Sequence, residues 1–484
     1  MNPTVAPIPF PYGWADQSAL APTLIVAVAA LLVVVLDLIL PRASRRAASI
    51  AVAAAGLLAA GAVALSGWHH PVIAFGGAFI NGGFTIAFEE IIIVAALLSL
   101  LLAYGLGRED QHGGAIGLLL WSASGALVMA GADNLLTIFL GLELLSLALY
   151  CLCGMASRPD ARESALKYLI LSSTASGIML YGMALLFGAT GSVALASLAA
   201  VPASVPLYAM GVGLFLIGLA FKLSLVPFHV WTPDVYEGAP LPVTAFMSVV
   251  TKAGVLAVFA RFAYAALPAD TTHLLLAPIW FVAGLSMIVG NVAALAQVDM
   301  KRLLAYSGIA QIAYIVAALA GTTQAGMRYA IFYLIGYTFM NLGAFAVIAL
   351  LSKDGAEQGS HLSTYQGLGY RQPLLAAAMT FFLIALAGLP PTVGFTGKVL
   401  ILSTAVNAGY PWLAVLLIAG TAISVYVYFK IVRLMYVRSV GAQLQRAVVP
   451  ASTLPWIGIV ACAVVVLVLG LHPLAPSDVI PQVR

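Results

Sequence analysis

Four ionisable residues lie inside long apolar stretches of the sequence. They are Glu143 in FLGLELLSLA, Lys222 in LAFKLSLVPF, Lys252 in SVVTKAGVLA and Lys398 in GFTGKVLILS. A charge surrounded by hydrocarbon costs at least a few kcal/mol, so residues of this kind are functional candidates by default. They therefore need an explanation before the rest of the chain does.

Proton transfer is the chemistry that such a set could perform. Burial favours the neutral amine of a lysine, and a nearby carboxylate favours the ammonium. If Glu143 approaches or leaves Lys222, the lysine can hold or release a proton. His229 follows Lys222 by seven residues, and a histidine suits a relay because its ordinary pKa is near neutral. The sequence predicts that His229 and Lys252 pass the proton on through water.

Each of these residues also has a plainer interpretation. Glu143 and Lys222 could form a static ion pair that fixes helix packing. Lys167, in ESALKYLI near the start of an apolar helix, could extend to the membrane interface. His229 could be a core histidine that bonds to a free carbonyl. These alternatives remain open at this stage.

Other polar residues in the apolar segments are expected to have supporting roles. Asp37 and the Glu89–Glu90 pair lie near helix ends, which favours a structural role. The histidines show no ligand spacing, so no metal site is expected. The second half of the chain lacks a deep carboxylate that matches Glu143, so the two halves are not chemically equivalent. A hydrated path in that half could be lined by Tyr306, Ser307, Gln311 and Tyr314.

Composition indicates a polytopic membrane protein. Of 484 residues, 63% are hydrophobic and 8% are charged, whereas an ordinary soluble domain carries roughly 25% charged residues. No Lys/Arg run suggests nucleic-acid binding. A span needs about 20 apolar residues, which predicts an all-α protein with about fourteen transmembrane helices. Their expected limits are 19–40, 46–67, 83–106, 113–132, 134–154, 164–189, 207–231, 240–265, 272–298, 302–320, 327–351, 373–407, 411–436 and 453–472.

Basic residues cluster in alternate connections. Because cytoplasmic loops are rich in Lys and Arg, the loops after odd-numbered helices should face the cytoplasm and both termini the outside. The loop after helix 7 carries Asp234 and Glu237 instead, but acidic residues contribute little to this rule. The basic residues that support the orientation are Arg42, Arg45, Arg46, Arg108, Arg158, Arg162, Lys301, Arg302, Lys353, Arg371, Arg433, Arg438 and Arg446.

The two halves of the chain correspond to each other. Helix 7 carries Lys222 near Pro227, and helix 12 carries Lys398 near the Gly388-Leu-Pro-Pro break. Paired discontinuous helices in matching positions indicate an inverted-repeat ion carrier. The sequence predicts one membrane domain, 1–484, with discontinuous helices 7 and 12. Within it we expect N-terminal helices 1–3 (1–110), a first repeat of helices 4–8 (111–265), a second of helices 9–13 (270–440) and helix 14 (450–484).

Four motifs together resemble one known family. They are FKLSLVPFHVWTPDVYEGAPLP from residue 221, GLELLSLALY from 141, KYLILSS from 167 and GLPPTVGFTGKVLI from 388. This combination resembles the antiporter-like membrane subunits of respiratory complex I, or NADH–quinone oxidoreductase, and most closely the subunit N branch. The resemblance covers nearly the whole chain. Lys398, in place of a glutamate on helix 12, argues against the subunit M branch.

The resemblance implies a role in proton translocation driven by redox chemistry elsewhere in the complex. It implies no cofactor or metal in this chain, with NADH, FMN, iron–sulfur clusters and quinone bound by other parts. The expected partners are sibling antiporter-like and small hydrophobic subunits in a bacterial plasma membrane. The alternatives are a subunit of a multi-subunit cation/proton antiporter and a structural membrane-arm subunit without conduction. The proton-transfer residues that the resemblance implies are Glu143, Lys222, Lys252, Lys398, His229 and Lys167.

Overall fold

The computed structural model describes residues 13–103, 112–156, 158–202, 205–352, 359–437 and 454–472. Of the basic residues that support the predicted orientation, Arg108, Lys353, Arg438 and Arg446 lie outside these ranges. A short hairpin pairs β1 (Val72–Ala74) with β2 (Phe79–Asn81), and 3₁₀ turns cover Phe75–Gly77 and Leu362–Tyr365. The helices are α1 (Trp14–Ile39), α2 (Arg42–Ser66), α3 (Gly83–Leu102), α4 (His112–Gly131), α5 (Leu135–Gly154), α6 (Pro159–Thr190), α7 (Leu195–Leu198), α8 (Pro206–Leu223), α9 (Trp231–Gly238), α10 (Leu241–Ala265), α11 (Thr272–Leu295), α12 (Met300–Ala318), α13 (Gln324–Leu351), α14 (Leu368–Arg371), α15 (Pro373–Ala387), α16 (Val393–Asn407), α17 (Pro411–Tyr436) and α18 (Leu454–Leu471).

The predicted fold class, an all-α polytopic membrane protein, is confirmed. Within the described ranges, 12 helices are long and apolar enough to cross a membrane. The remaining two predicted segments correspond to α12 and to the consecutive helices α15 and α16. The division into two inverted repeats stays a prediction.

Helix α10 forms the centre of the bundle. Nearly all its residues, from Pro242 to Ala263, are buried, and it packs against α3, α4 and α13. A helix that is apolar around its whole circumference must be surrounded by others. Lys252 lies halfway along this central helix and is therefore held far from both ends.

The seventh predicted helix ends before Pro227, the residue at which a break was expected. Helix α8 ends at Leu223, and Ser224 adopts a left-handed conformation with φ of 62°. The chain then turns and forms the short helix α9, whose Trp231 and Tyr236 are buried. The segment 231–238, expected to leave the apolar zone, instead packs as a helix against α6 and α12.

The twelfth predicted helix is broken in a comparable way. Helix α15 ends at Ala387, Gly388 has φ of 81°, and α16 starts at Val393. This φ favours glycine, which lacks a Cβ. A Cβ at Gly388 would also lie 2.8 Å from Cδ of Lys398. Glycine is thus needed here both for the turn and for the passage of the lysine side chain.

The hairpin between α2 and α3 was not predicted from the sequence. It pairs Val72 with Asn81 and Ala74 with Phe79 in antiparallel register. The Asp16 carboxylate accepts a hydrogen bond from the backbone N–H of Phe75 at 2.6 Å. Strands of three residues are too short for a period-two pattern to be distinguished from a loop.

Candidate functional site

Lys222 lies in the last turn of α8, where its side chain is 3% exposed. Its Nζ donates hydrogen bonds to Ser146 Oγ at 2.7 Å and to Ser172 Oγ at 2.6 Å. The Tyr150 hydroxyl also donates to Ser172 Oγ, at 2.7 Å. The buried ammonium is therefore solvated by hydroxyl groups from α5 and α6.

Glu143 lies three residues before Ser146 on α5, on the same side of the helix. Within the described part of the chain, no ion pair within 4 Å involves its carboxylate, and its buried Oε1 has no hydrogen-bond partner. The interpretation of Glu143 and Lys222 as a static ion pair is therefore not the arrangement seen. The acid is adjacent to the lysine site but separate from it.

Lys252 reaches from α10 to the broken end of α8. Its Nζ donates to the backbone carbonyl of Lys222 at 2.8 Å and to Ser224 Oγ. Thr232 donates its hydroxyl to the same Ser224 oxygen at 2.6 Å. The last carbonyls of a helix lack partners within it and carry partial negative charge. A cation at this position is stabilised without any carboxylate.

Aromatic rings lie beside both lysines. The Tyr168 and Trp231 rings stack with centroids 4.8 Å apart and planes 11° from parallel. Nζ of Lys222 lies 5.8 Å from the Tyr168 ring, and Nζ of Lys252 lies 5.2 Å from the Trp231 ring. Trp231 also donates its indole N–H to the Phe221 carbonyl at 3.0 Å. The stacked pair thus attaches α9 to the end of α8 and places one aromatic face near each ammonium.

His229 lies in the turn between α8 and α9 and is half-buried. Its spacing of seven residues from Lys222 does not place the two on one helix face, because α8 has already ended. Its Nδ1 is buried without a hydrogen-bond partner, and its ring centroid lies 6.2 Å from that of Tyr306 on α12. The histidine therefore faces the second half of the chain, and its predicted transfer to Lys252 stays a prediction.

Lys167 lies at the periphery rather than among the buried lysines. It pairs with Glu163 at 2.7 Å and with Asp234 at 3.2 Å, and 43% of its side chain is exposed. Arg302 pairs with both Asp234 and Glu237 at 2.7 Å. The two acidic residues of α9 are thus paired with basic residues of α6 and α12.

The charge network also acts on Asp234, which lies outside the spanning helices. Burial raises the pKa of its carboxyl, but the hydrogen bonds and charges of Lys167 and Arg302 together hold the pKa below its usual value. Asp234 is consequently ionised at neutral pH and tethers α9 to α6 and α12.

Lys398 occupies the break between α15 and α16 and is 4% exposed. Its Nζ donates to the carbonyls of Leu386 at 3.1 Å and Ala387 at 3.0 Å. It lies 5.0 Å from the centroid of the Tyr314 ring. The second break therefore also holds a lysine on freed helix carbonyls.

Two of the expected path residues on α12 form a buried polar cluster near Lys398. Gln311 donates to the same Leu386 carbonyl at 2.9 Å and accepts from the Tyr333 hydroxyl at 2.5 Å. Ser307 shares a hydrogen bond with Tyr428. Because the Leu386 carbonyl accepts from both Lys398 and Gln311, the cluster is connected to the lysine.

Sequence reasoning missed the polar side chains of α13 that connect the two halves. Asn341 donates to Ser248 Oγ at 2.5 Å, and the Tyr337 hydroxyl donates to the Ser248 carbonyl at 3.4 Å. Ser248 lies one helical turn from Lys252. Tyr333, Tyr337 and Asn341 are spaced by four residues and so share one helix face. That spacing of polar groups in an apolar helix was the available signal.

The arrangement provides sites that hold protons without redox chemistry. The ammonium groups of Lys222, Lys252 and Lys398 rest on hydroxyls, carbonyls and aromatic faces, and none of the three has a carboxylate within ion-pair distance among the described residues. Such cations are loosely compensated, because hydrogen bonds to neutral groups stabilise them less than a paired carboxylate does. A small electrostatic change is therefore expected to shift the balance between the charged and neutral forms of these lysines.

The chain is similar to known proteins in both sequence and structure. Residues 132–424 match the family described as NADH:quinone oxidoreductase/Mrp antiporter, TM. NADH-quinone oxidoreductase subunit N of Trichlorobacter lovleyi is 43% identical over 79% of this chain and 80% of its own length. Subunit N 1 of Symbiobacterium thermophilum is 41% identical over 87% of both chains.

Solved structures show the same architecture. A chain of respiratory complex I from Thermus thermophilus with bound Aureothin has a TM-score of 0.81 and 35% identity, and the match covers 95% of this chain and 99% of that one. A chain of the Mrp complex from a Dietzia species has a TM-score of 0.78 and 23% identity, over 94% of each chain. The latter likeness is one of fold alone.

Proposed function

This chain belongs to the NADH:quinone oxidoreductase/Mrp antiporter transmembrane family, and on that premise we propose that it works as an antiporter-like subunit N of a bacterial NADH–quinone oxidoreductase. In this role it translocates protons across the plasma membrane while quinone is reduced elsewhere in the complex. The chain contributes no redox chemistry itself. Its partners are other membrane-arm subunits, and NADH, FMN, iron–sulfur clusters and quinone belong to other parts of the assembly.

One observation carries this proposal: Lys252 donates directly to the backbone carbonyl of Lys222 at the break after α8. The Lys252 ammonium is thereby held at the backbone of the residue whose side chain carries the second buried ammonium. Like charges at short range in a low-dielectric interior repel. Protonation at one site therefore disfavours the proton at the other, which is the coupling that stepwise transfer requires.

The proposed cycle starts on the cytoplasmic side. Protons reach Lys222 either past the half-buried His229 or from the periphery at Lys167. Ser146 and Ser172 then hold the Lys222 ammonium. Movement of Glu143 toward Lys222 stabilises the proton there. Its withdrawal releases the proton toward Lys252.

Transfer continues between the halves along α13. The route from Lys252 passes Ser248, then Tyr337 and Tyr333, and reaches the carbonyl that Lys398 shares with Gln311. Lys398 then discharges to the outside, the side on which both termini are predicted to lie. Hydroxyl and amide groups at one-turn spacing can order the water that a proton path needs.

The test is Lys222→Met in the assembled complex, with Lys430→Met as the matched control. Methionine keeps an unbranched chain of similar length but cannot carry a proton. Lys430 is exposed and donates to the Leu295 carbonyl. Proton pumping and quinone reduction, measured together in vesicles, should fall severalfold in the first variant and not in the second. Full pumping by Lys222→Met would refute the proposed function.

A fall in proton pumping by Glu143→Ala would support the role of Glu143 in the cycle. Co-purification separates this function from the antiporter alternative. Flavin and iron–sulfur polypeptides that co-purify with the chain indicate a redox complex, whereas only small hydrophobic proteins indicate an antiporter.

A further inference from the structure

Among the residues that the structure describes, Glu89 is the most deeply buried carboxyl that the proposed cycle does not use. It lies on α3, it is 0% exposed, and both of its carboxyl oxygens are buried without a hydrogen-bond partner. An ionised carboxylate without donors is very costly to bury, so the side chain is most stable with its proton bound. A structural role alone does not account for such a group, since it makes no bond that would fix a neighbour.

The position of Glu89 relates it to α10, the helix of Lys252. Thr85, four residues earlier on the same face of α3, accepts a hydrogen bond from Arg261 of α10 at 2.9 Å. Arg261 also donates to the Ala130 carbonyl at 3.2 Å and pairs with Asp133 at 3.7 Å. Glu89 therefore lies one turn deeper than this polar cluster, among α3, α4 and α10.

Helix geometry places Glu89 between the outer cluster and Lys252. At 1.5 Å per residue, Arg261 lies roughly 13 Å beyond Lys252 along α10, and Glu89 lies about 6 Å inward from Thr85 along α3. The axial gap that remains between Glu89 and Lys252 is roughly 7 Å. Two water molecules in a chain can cover such a gap.

The outer end of this route is the Asp133–Arg261 pair. The Asp133 side chain is 16% exposed, against 8% for Arg261. Burial raises the pKa of the Asp133 carboxyl, and the charge and hydrogen bond of Arg261 oppose that rise. A carboxyl at the connection between α4 and α5, on the side predicted to face outward, can deliver a proton to bulk water.

We propose that Glu89 is a proton-transfer residue on a second outward route, which branches at Lys252 from the route along α13 and leads to the Asp133–Arg261 pair. The Glu89 acid first gives its proton toward the water at Asp133. The resulting carboxylate then takes one proton through water from the Lys252 ammonium, so that one proton moves outward and Glu89 returns to its protonated starting form. This inference rests on the proposed proton translocation.

The neighbouring Glu90 provides a matched control. It is half-buried, and it lines an apolar cavity of about 430 Å³ between α2, α3 and α13, together with Trp68 and Thr338. Its carboxyl therefore points away from the α3–α4–α10 contact. Glu90→Gln makes the same chemical change one residue away.

The experiment compares Glu89→Gln and Glu90→Gln in the assembled complex in vesicles. We expect Glu89→Gln to lower proton pumping at least twofold, with Glu90→Gln unchanged. Glu89→Asp keeps a carboxyl and should retain more pumping than Glu89→Gln. Infrared difference spectra should lose a protonated-carboxyl band in Glu89→Gln only.

The outcomes distinguish this inference from the function on which it rests. If Lys222→Met abolishes pumping but Glu89→Gln and Glu90→Gln both pump normally, the role of Glu89 is wrong and the function stands. If Lys222→Met pumps fully, the function itself is wrong. If Glu89→Gln does not assemble, infrared difference spectra of the wild type and Glu89→Asp decide. A wild type without any protonated-carboxyl band, or a band that Glu89→Asp leaves unchanged, overturns the role of Glu89.

Discussion

The Tyr333 hydroxyl is the point at which the connection between the two halves can be removed with least disturbance. Tyr333→Phe deletes one oxygen atom and leaves the ring, which is fully buried, in place. The hydroxyl donates to Gln311 Oε1 at 2.5 Å, while Gln311 donates separately to the Leu386 carbonyl. The variant should therefore leave Lys398 on its two carbonyls and remove only the donor that orders Gln311.

The size of the effect follows from the bond that is lost. A net intramolecular hydrogen bond contributes about 0.5–1.5 kcal/mol, and each ~1.4 kcal/mol on a barrier is a factor of ten in rate. Coupled pumping should fall between about twofold and tenfold. The assay is proton pumping and quinone reduction by the variant complex in vesicles.

Tyr365→Phe is the matched control for this measurement. Tyr365 is also fully buried, but its hydroxyl oxygen has no hydrogen-bond partner. It lies in the 3₁₀ turn Leu362–Tyr365, away from the lysines. Removing the Tyr365 hydroxyl oxygen should leave pumping unchanged. Equal slowing in both variants, or wild-type pumping by Tyr333→Phe, would refute the relay along α13.

Two further substitutions test the supports of the site. A Cβ at Gly397 would lie 2.2 Å from Tyr333 Cδ2, so Gly397→Ala should destabilise the complex by about 1–3 kcal/mol through overpacking. Gly213→Ala adds an atom with nothing within 4 Å of it and should not destabilise the complex. Thermal unfolding measures both variants. Asp234→Asn tests the α9 tether: because the pKa of Asp234 is depressed, its contribution is present above the ordinary carboxyl pKa and is lost as pH falls through the lowered folded value. The melting temperatures of Asp234→Asn and wild type should differ at neutral pH and converge in strong acid, and a constant difference across the whole range would contradict the tether.

The buried lysines could be predicted because their signal is local and strong. Lys222, Lys252 and Lys398 are charged residues in stretches where composition demands a membrane span, and proline or glycine marks the nearby breaks at Pro227 and Gly388. Hydrocarbon tolerates free backbone groups only where they are satisfied within the protein. The sequence therefore indicated both the charges and the gaps that they occupy.

The partners of these lysines could not be predicted, because they depend on how separate helices face each other. Ser146 and Ser172, rather than Glu143, contact Lys222. In a helix that is apolar all round, sequence periodicity does not tell which side faces which neighbour. The same limit hid the contact of Asn341 with Ser248.

His229 and Lys167 illustrate a different limit. The expectation for His229 assumed that the helix continued past Lys222, whereas Ser224 ends it with a left-handed turn. Serine is an uncommon residue at positive φ, so nothing in its type announced the turn. The expectation for Lys167 depended on depth alone, and the decisive contact with Asp234 lies 67 residues away in sequence.

The two breaks differ in where their cation originates. At the first, the lysine on the freed carbonyls belongs to another helix, because Lys252 of α10 caps α8. At the second, Lys398 belongs to the continuation of the same broken helix and caps α15 from α16. A relative shift of α8 and α10 would therefore break the hydrogen bond at the first junction. At the second junction the lysine and its carbonyls belong to the two consecutive parts of one broken helix, so a shift between other helices leaves that contact in place.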